Sequence, residues 1–262
     1  MTPTVFPGPA ALGRALADVI AADLALAAER GRAYLLGCPG GRSAHSTYQA
    51  LAELTARRAL DLSRLVIVMM DEYVERDATG SFARIGSSLA HSCARFGAEE
   101  IVGPLNRAAG PGRGVTPDRY WIPDPVEPER YDKQIAEQGG VDLFILASGA
   151  SDGHVAFNPA GTAAGSRTRV IPLAEATRRD NLATFPTFGG RLDAVPAYGV
   201  TVGVGTIQEQ SKRAVMVAHG ADKATTVDRM RLAQHYDPAW PATVITDCAN
   251  PQLFIDSAAA PA

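Results

Sequence analysis

Apolar residues in this chain fall into two patterns, which are short unbroken runs and longer stretches with helical spacing. Residues 12–29 carry apolar side chains three and four positions apart, which predicts an amphipathic helix. The apolar runs 33–37, 65–70 and 141–147 predict buried strands. The same criteria predict further strands at 198–204, 214–218 and 243–247, and further helices at 43–58, 81–94, 127–138 and 222–235.

Three segments depart from these patterns or mark their ends. Ser81 is a suitable cap for the helix predicted at 81–94. Residues 103–125 are rich in Gly and Pro, which predicts a long loop, and Ile101 and Val102 before it predict only a short strand. The final segment, DSAAAPA, predicts a frayed end.

The alternation of strands and helices predicts an α/β protein whose sheet is mostly parallel and covered on both faces. Neither a repeat nor a linker divides the chain, so we expect a single domain over residues 1–262. Ligands of such sheets bind beyond the carboxyl ends of the strands. Three predicted strand ends carry polar or glycine-rich loops, and we expect them to meet there: Cys38–Ser43, Asp71–Glu75 and Ser148–Asn158.

Composition narrows the class of protein. The 262 residues carry a net charge of −3, which argues against a nucleic-acid binder that relies on a strong basic field. The three cysteines lack zinc-site spacing and form an odd number, so we expect neither a metal nor a disulfide framework and favour a cytoplasmic location. We also expect no signal peptide, because MTPTVFPGPA lacks a basic region followed by an apolar core, and no membrane span, because no apolar run is long enough.

The first polar loop, CPGGRSAHS, has the chemistry of an anion site. Gly40 and Gly41 follow a strand and precede a helix, so backbone N–H groups and the helix dipole face a ligand there. Arg42 and Ser43 add further donors. The alternative is an ordinary turn that uses glycine for its backbone freedom.

Four other side chains are candidates for catalysis or binding. Asp71 follows an apolar strand, where desolvation would suit a general base, although it could equally cap a turn. Asp152 and His154 lie two residues apart and could flank one substrate atom or bond each other, or His154 could pack on its own loop. Lys223 opens a helix against the dipole, which indicates an anionic ligand unless the side chain is simply solvated.

Taken together, these segments match one family. The chain resembles the glucosamine-6-phosphate deaminases, within a group that includes 6-phosphogluconolactonases, through LLGCPGGRSAHSTYQAL, MMDEYV, DLFILASGASDGHVAFN and VPAYGVTVGVGT, in family order. The resemblance implies a three-layer α/β/α sandwich with a modified Rossmann-like topology. It also implies an aldose–ketose isomerisation with loss of ammonia, which needs neither a metal nor an organic cofactor.

The resemblance assigns roles to the candidate residues. Asp71 would shuttle the proton between C2 and C1, and His154, oriented by Asp152, would assist ring opening. The glycine loop with Arg42, together with Lys223, would bind the phosphate or other anion of a small sugar substrate. Members of the family range from monomers to hexamers, so a homo-oligomer is possible.

The chain departs from the deaminase motifs at several positions. Pro159 stands where the family has a Glu that completes the Asp–His–Glu group, and Ala183 stands where it has a phosphate-binding Arg. Arg169 matches one position of the family's allosteric phosphate site, whereas Ile171 replaces its basic partner. Arg42 could restore the lost charge. Three other arginines are also candidates for that role: Arg178, Arg179 and Arg191.

These departures leave three hypotheses for function. The first is an isomerase/deaminase, or an isomerase without deamination, acting on a phosphorylated or otherwise acidic sugar. The second is a lactonase in which His154 activates water. The third is a sugar-phosphate sensor without activity.

Overall fold

The computed structural model describes residues 1–260, without the side chain of Ala183, and its largest element is a sheet of seven strands. The strands of the described chain are β1 (Thr4–Phe6), β2 (Tyr34–Cys38), β3 (Leu65–Met69), β4 (Asp71–Arg76), β5 (Phe82–Arg84), β6 (Tyr120–Trp121), β7 (Leu143–Ala147), β8 (Arg169–Pro172), β9 (Tyr198–Thr201), β10 (Ala214–Ala218) and β11 (Pro251–Asp256). The seven-stranded sheet has the order β1-β11-β10-β7-β2-β3-β6, and all its pairs are parallel.

Helices cover both faces of this sheet. They are α1 (Pro9–Glu29), α2 (His45–Arg58), α3 (Cys93–Phe96), α4 (Gly103–Ala109), α5 (Glu129–Glu137), α6 (Glu175–Thr184), α7 (Val204–Gln210) and α8 (Ala224–Leu232). A π-helical turn, Gly97–Val102, joins α3 to α4.

Alternate residues of the central strands belong to two separate hydrophobic cores. Leu36 and Ile67 pack in the core that contains α1, α2 and α4, whereas Leu35 and Val66 pack in the core that contains α5, α7 and α8. Because both faces are buried, these strands are apolar throughout, as parallel strands commonly are. The predicted three-layer α/β/α sandwich is confirmed.

The strand order also reveals where a ligand would bind. The chain leaves β2 for β3 on one side and later adds β7 on the other side of β2. Such a reversal opens a crevice at the carboxyl ends of the two diverging strands, which is the ligand position of Rossmann-like folds.

A second, antiparallel sheet of order β5-β4-β9-β8 lies at this end. Its strand β4 begins at Asp71, and only Met70 separates it from the end of β3. Asp71 pairs with Thr201 of β9. The loop predicted at Asp71–Glu75 is therefore wrong. Residues 71–74 extend because they pair with β9, more than 120 positions away, which no local pattern reports, and residues 74–76 pair with β5.

The region after β4 differs most from prediction. The helix predicted at 81–94 is wrong, since this segment holds β5 and turns until α3 begins at Cys93. Ser92, and not Ser81, caps that helix by accepting a hydrogen bond from the Arg95 N–H. Ile101 and Val102 lie in the π turn instead of a strand, and the first part of the predicted loop 103–125 is α4.

The carboxyl-terminal segment was also predicted incorrectly. Residues 243–247 form a 3₁₀ turn, and the strand of this region is β11. Asp256, assigned to the frayed tail, ends β11, and Ala259 is fully buried, because β11 pairs with both β1 and β10. The last two residues of that predicted tail lie outside the described residues. Strands 33–37, 65–70, 141–147, 198–204 and 214–218 agree with the structure to within three residues at each end.

Gly37 of β2 provides a test of the central packing. Gly37 lies opposite Phe144 of β7, and a Cβ on Gly37 would overlap the Phe144 ring. We expect Gly37→Ala to lower the free energy of unfolding by about 1–3 kcal/mol, the usual cost of overpacking a core. Urea unfolding measures the change.

The matched control is Gly165→Ala, where an added Cβ meets no atom within 4 Å. Equal stability of the Gly37 and Gly165 variants would contradict this account of the packing between β2 and β7.

Candidate active site

A cavity of about 350 Å³ opens at the carboxyl ends of β2, β3, β7 and β10. Seven of the eight site residues predicted from the sequence line it: Gly40, Gly41, Arg42, Ser43, Asp71, His154 and Lys223. The eighth, Asp152, is hydrogen-bonded to His154 and does not itself line the cavity. Residues that are distant in sequence thus converge on one space.

Asp71 is a buried carboxyl at the floor of this cavity, only 6% exposed. Burial raises the pKa of Asp71 to about 7, against the hydrogen bond from Cys93, while the charge of Glu72 raises it and that of His154 lowers it. The Cys93 thiol lies 3.2 Å from Asp71 Oδ1. A carboxyl with this pKa can both accept and return a proton near neutrality, as a general base requires.

The neighbouring carboxylate, Glu72, has a structural role. Glu72 is fully buried and points away from the cavity to the start of α3. It accepts hydrogen bonds from the N–H groups of Tyr73 (2.7 Å), Cys93 (3.0 Å) and Ala94 (2.7 Å), and from the Ser92 hydroxyl (2.9 Å). These bonds attach the first turn of α3 to β4 and so place Cys93 beside Asp71.

Asp152 and His154 form a hydrogen-bonded pair on the loop after β7. His154 Nδ1 lies 2.7 Å from Asp152 Oδ1, and each side chain is 17% exposed. Burial of Asp152 opposes its ionisation, but the hydrogen bond and charge of His154 outweigh it and hold the pKa of Asp152 below its usual value. An ionised Asp152 accepts a hydrogen bond from His154 Nδ1–H, and this tautomer leaves Nε2 as the basic nitrogen of the ring.

The close approach of this pair depends on Gly149. A Cβ on Gly149 would overlap both the His154 ring and the Asp152 carboxylate. Glycine is therefore required at position 149, because any side chain there would displace the Asp152–His154 pair.

Two cations lie at the mouth of the cavity. Arg42 is exposed, and Lys223 donates a hydrogen bond of 2.7 Å to the Ser148 carbonyl. Burial lowers the pKa of Lys223, and the charge of Arg42 lowers it further, whereas Asp222 and Asp180 raise it. Both acids also line the cavity, so the positive charge there is partly balanced before any ligand binds.

The other arginines considered from the sequence do not line this cavity. Arg178 donates to the Val195 carbonyl at 3.0 Å, and Arg179 and Arg191 form ion pairs with Glu175 and Asp193. Arg42 is therefore the arginine that lines the cavity in the described part of the chain.

Two positions that the sequence comparison with the family singled out, Pro159 and Arg169, lie outside the cavity lining. Pro159 does not line the cavity, and its carbonyl accepts hydrogen bonds from the Thr162 N–H and hydroxyl. Arg169 donates to Asn158 Oδ1 at 3.0 Å and also lies outside the cavity lining. The Ala183 side chain lies outside the described residues.

Sequence reasoning missed one wall of the cavity, formed by Cys93, His91 and several aromatic rings. The His91 ring lies 4.6 Å from that of Phe188 and 5.5 Å from that of Tyr73, and burial lowers the pKa of His91. His91 and Cys93 lie in the segment 81–94, which was wrongly predicted to be a helix, so no local pattern indicated that they face a ligand.

Residues 1–260 contain neither a candidate membrane span nor a cluster of metal ligands. In this range no helix combines the length and the apolar character needed to span a membrane. The same residues contain no group of three or more His, Cys, Asp or Glu side chains arranged to hold a metal ion.

Comparison with known proteins identifies the family. The family model described as glucosamine-6-phosphate isomerases/6-phosphogluconolactonase matches residues 7–254. The chain belongs to this enzyme family. A glucosamine-6-phosphate deaminase of Beutenbergia cavernae is 34% identical over 260 residues, which are 99% of this chain and 92% of the relative. One of Rhodococcus opacus is 34% identical over 221 residues, or 84% and 76% of the two chains.

Solved structures agree with this family. A monomeric glucosamine-6-phosphate deaminase of the NagB superfamily superposes with a TM-score of 0.82 at 26% identity, covering 99% of this chain and 98% of its own. A 6-phosphogluconolactonase from Leishmania guyanensis gives 0.69 at 17% identity, covering 99% and 98%. At that lower identity the likeness concerns the fold alone.

Glu72 provides a test of how the site is held. We expect Glu72→Gln to lower the free energy of unfolding by about 1–3 kcal/mol, because the amide nitrogen would face donors that need an acceptor. Thermal or urea unfolding measures this change. Glu75→Gln is the control, since Glu75 lies on the same strand but is exposed. If both variants were as stable as the parent, Glu72 would not anchor α3.

Proposed function

We propose that the chain is an aldose–ketose isomerase/deaminase that acts on an anionic amino sugar such as glucosamine 6-phosphate. The observation that carries this proposal is the convergence on one cavity of a buried carboxyl with a pKa of about 7, an oriented histidine and two cations. The deaminase relatives support the choice of substrate class.

The first chemical step is the opening of the sugar ring. His154 Nε2 accepts the proton of the anomeric hydroxyl as the C1–O5 bond breaks, and a proton returns to the ring oxygen. Asp152 keeps the imidazole in the tautomer that this step needs, since its Oδ1 accepts a hydrogen bond from Nδ1–H, with 2.7 Å between the two heavy atoms. The product is an open-chain aldose with its amino group on C2.

Asp71 then transfers a proton between adjacent carbons. Its carboxylate removes the C2 proton to form an enediol-like intermediate and delivers the proton to C1, which leaves an imine at C2. Water adds to C2 and ammonia leaves, so the ketose and ammonia form from the amino sugar and water. A single carboxyl over one face of the intermediate can perform both transfers, because its pKa lies near neutrality.

The anion of the substrate binds at the cationic end of the cavity. Backbone N–H groups of the glycine loop and the Ser43 hydroxyl are available as donors, and Arg42 and Lys223 supply charge. Arg42 takes the place of the arginine that the family motif has where this chain has Ala183.

Product analysis tests the reaction, and Asp71→Asn tests the base. With glucosamine 6-phosphate we expect equal amounts of ketose phosphate and ammonia, measured by coupled enzymatic assays. Asp71→Asn keeps the shape of the side chain but removes its basicity, and we expect kcat to fall about 10²- to 10⁴-fold. Asp18→Asn is the control, because Asp18 is exposed on α1 and pairs with Arg58.

Each other outcome of that assay has a definite meaning. Ketose from a related sugar phosphate that lacks the amine, with no ammonia from glucosamine 6-phosphate, would indicate an isomerase without deamination. Stabilisation by the sugar phosphate without turnover would indicate a sensor and contradict the proposed reaction. Full activity of Asp71→Asn would exclude Asp71 as the base.

The pH dependence follows from the pKa of Asp71. Only the ionised carboxylate can remove the C2 proton, and it is lost as the pH falls through about 7. We therefore expect kcat/KM to decline below that pH, approaching about tenfold per unit, and to level off above it. The profile of kcat/KM against pH measures the ionisation in the free enzyme. An activity that stays constant well below pH 7 would contradict this assignment.

A second candidate is hydrolysis of an acidic sugar lactone. The observation that favours it is the hydrogen-bonded pair of Asp152 and His154, since an imidazole oriented in this way can also activate water against an ester carbonyl. The lactone reaction does not need Asp71 as a carbon base. A pH-stat assay with 6-phosphogluconolactone distinguishes the two, because acid release that survives Asp71→Asn would favour the lactonase.

A further inference from the structure

The thiol of Cys93 is the hydrogen-bond donor that the structure gives to the Asp71 side chain. Its sulfur lies 3.2 Å from Asp71 Oδ1, and the two residues are 8% and 6% exposed. Both line the cavity. In a buried site of low dielectric constant, a single hydrogen bond to a carboxylate stabilises the ionised form more than it would in water.

The position of Cys93 is fixed by contacts that do not involve its side chain. Its N–H donates to Glu72 Oε1 at 3.0 Å, and Ser92 before it donates to Glu72 Oε2 at 2.9 Å. A Cβ on Gly40 would lie 3.8 Å from the Cys93 sulfur. The thiol thus lies near Gly40 of the glycine loop and contacts the carboxyl of Asp71.

The protonation of the thiol suits this role. Burial, foremost, and then the charges of Asp71 and Glu72 raise the pKa of Cys93 well above its usual value, so the thiol is neutral and can donate. The other charged groups that act on Asp71 are Glu72 and His154. Three buried tyrosines nearby also have pKa values raised well above normal by burial and stay neutral: Tyr48, Tyr73 and Tyr131.

We propose that Cys93 is a positioning residue for Asp71, whose thiol orients the carboxyl toward the cavity and favours its ionised form. The inference rests on the proposed role of Asp71 as the base. Cys93 lies in the segment 81–94, in which no site residue was predicted.

Two substitutions at Cys93 and one control test this inference. Cys93→Ala removes the donor, and Cys93→Ser keeps a donor of similar size at the same position. The control is Cys248→Ala, since Cys248 is a buried thiol that donates to the Val244 carbonyl and does not line the cavity. Thermal unfolding of all three variants measures any structural effect separately.

The first readout is the acidic limb of the pH profile, which is the pH range in which kcat/KM falls as the solution becomes more acidic. A hydrogen bond to the carboxylate lowers the pKa of Asp71, so its loss in Cys93→Ala moves the limb to higher pH, by about half a unit to one unit. The limb of Cys93→Ser stays at the parental pH or moves below it, and that of Cys248→Ala stays unchanged. A Cys93→Ala variant that loses stability but keeps the parental limb would overturn the proposal.

The second readout does not need activity. In protein labelled with ¹³C at aspartate carboxyl carbons, the Asp71 signal is assigned by its absence from Asp71→Asn and titrated by NMR. We expect the apparent pKa of Asp71 to follow the order of the acidic limbs among the variants, so that it is highest in Cys93→Ala. A shifted titration in a protein without turnover would support the role of Cys93 while the proposed reaction fails. Turnover with an unmoved titration would overturn the role of Cys93 and leave the reaction intact.

Discussion

The Asp71 carboxyl is held away from water at the junction of two sheets, and the arrangement of the cavity follows from this burial. Strand β3 ends at Met69, and β4 begins at Asp71, so the carboxyl lies where the apolar parallel sheet meets the antiparallel one. Desolvation there raises the pKa of Asp71 to about 7. An exposed Asp would be ionised permanently and would return a proton poorly.

Several other residues of the site position groups that act on the Asp71 carboxyl. Glu72 holds the start of α3 by three hydrogen bonds, and α3 in turn brings the Cys93 thiol to Asp71. The loop after β7 brings His154 to the same cavity, with Asp152 bonded to it. Three segments of the chain, which are the start of β4, the start of α3 and the loop after β7, therefore act on the ionisation of Asp71.

The sequence predicted the parts of the site that follow apolar runs. The central strands were found because both their faces are buried, and the ends of these strands held the residues that now line the cavity. Strand β4 was missed because its partner β9 is distant in the chain, and β11 was missed for the same reason. Cys93 was not a candidate because its contact with Asp71 depends on Glu72, which no spacing rule indicates. The sequence left four arginines open as replacements for the missing one, and the structure leaves only Arg42 in the cavity.

The pairing of β4 with β9 selects which of two adjacent carboxylates faces the cavity. Asp71 lies opposite Thr201 and Glu72 opposite Val200, and successive side chains of a strand point to opposite faces. A slip of one residue would exchange them, so that Glu72 would enter the cavity and Asp71 would turn toward α3. The shorter aspartate side chain could not reach every donor that glutamate reaches there. The order Asp–Glu at these two positions is thus fixed by strand register, and the reverse order would disrupt both the base and its support.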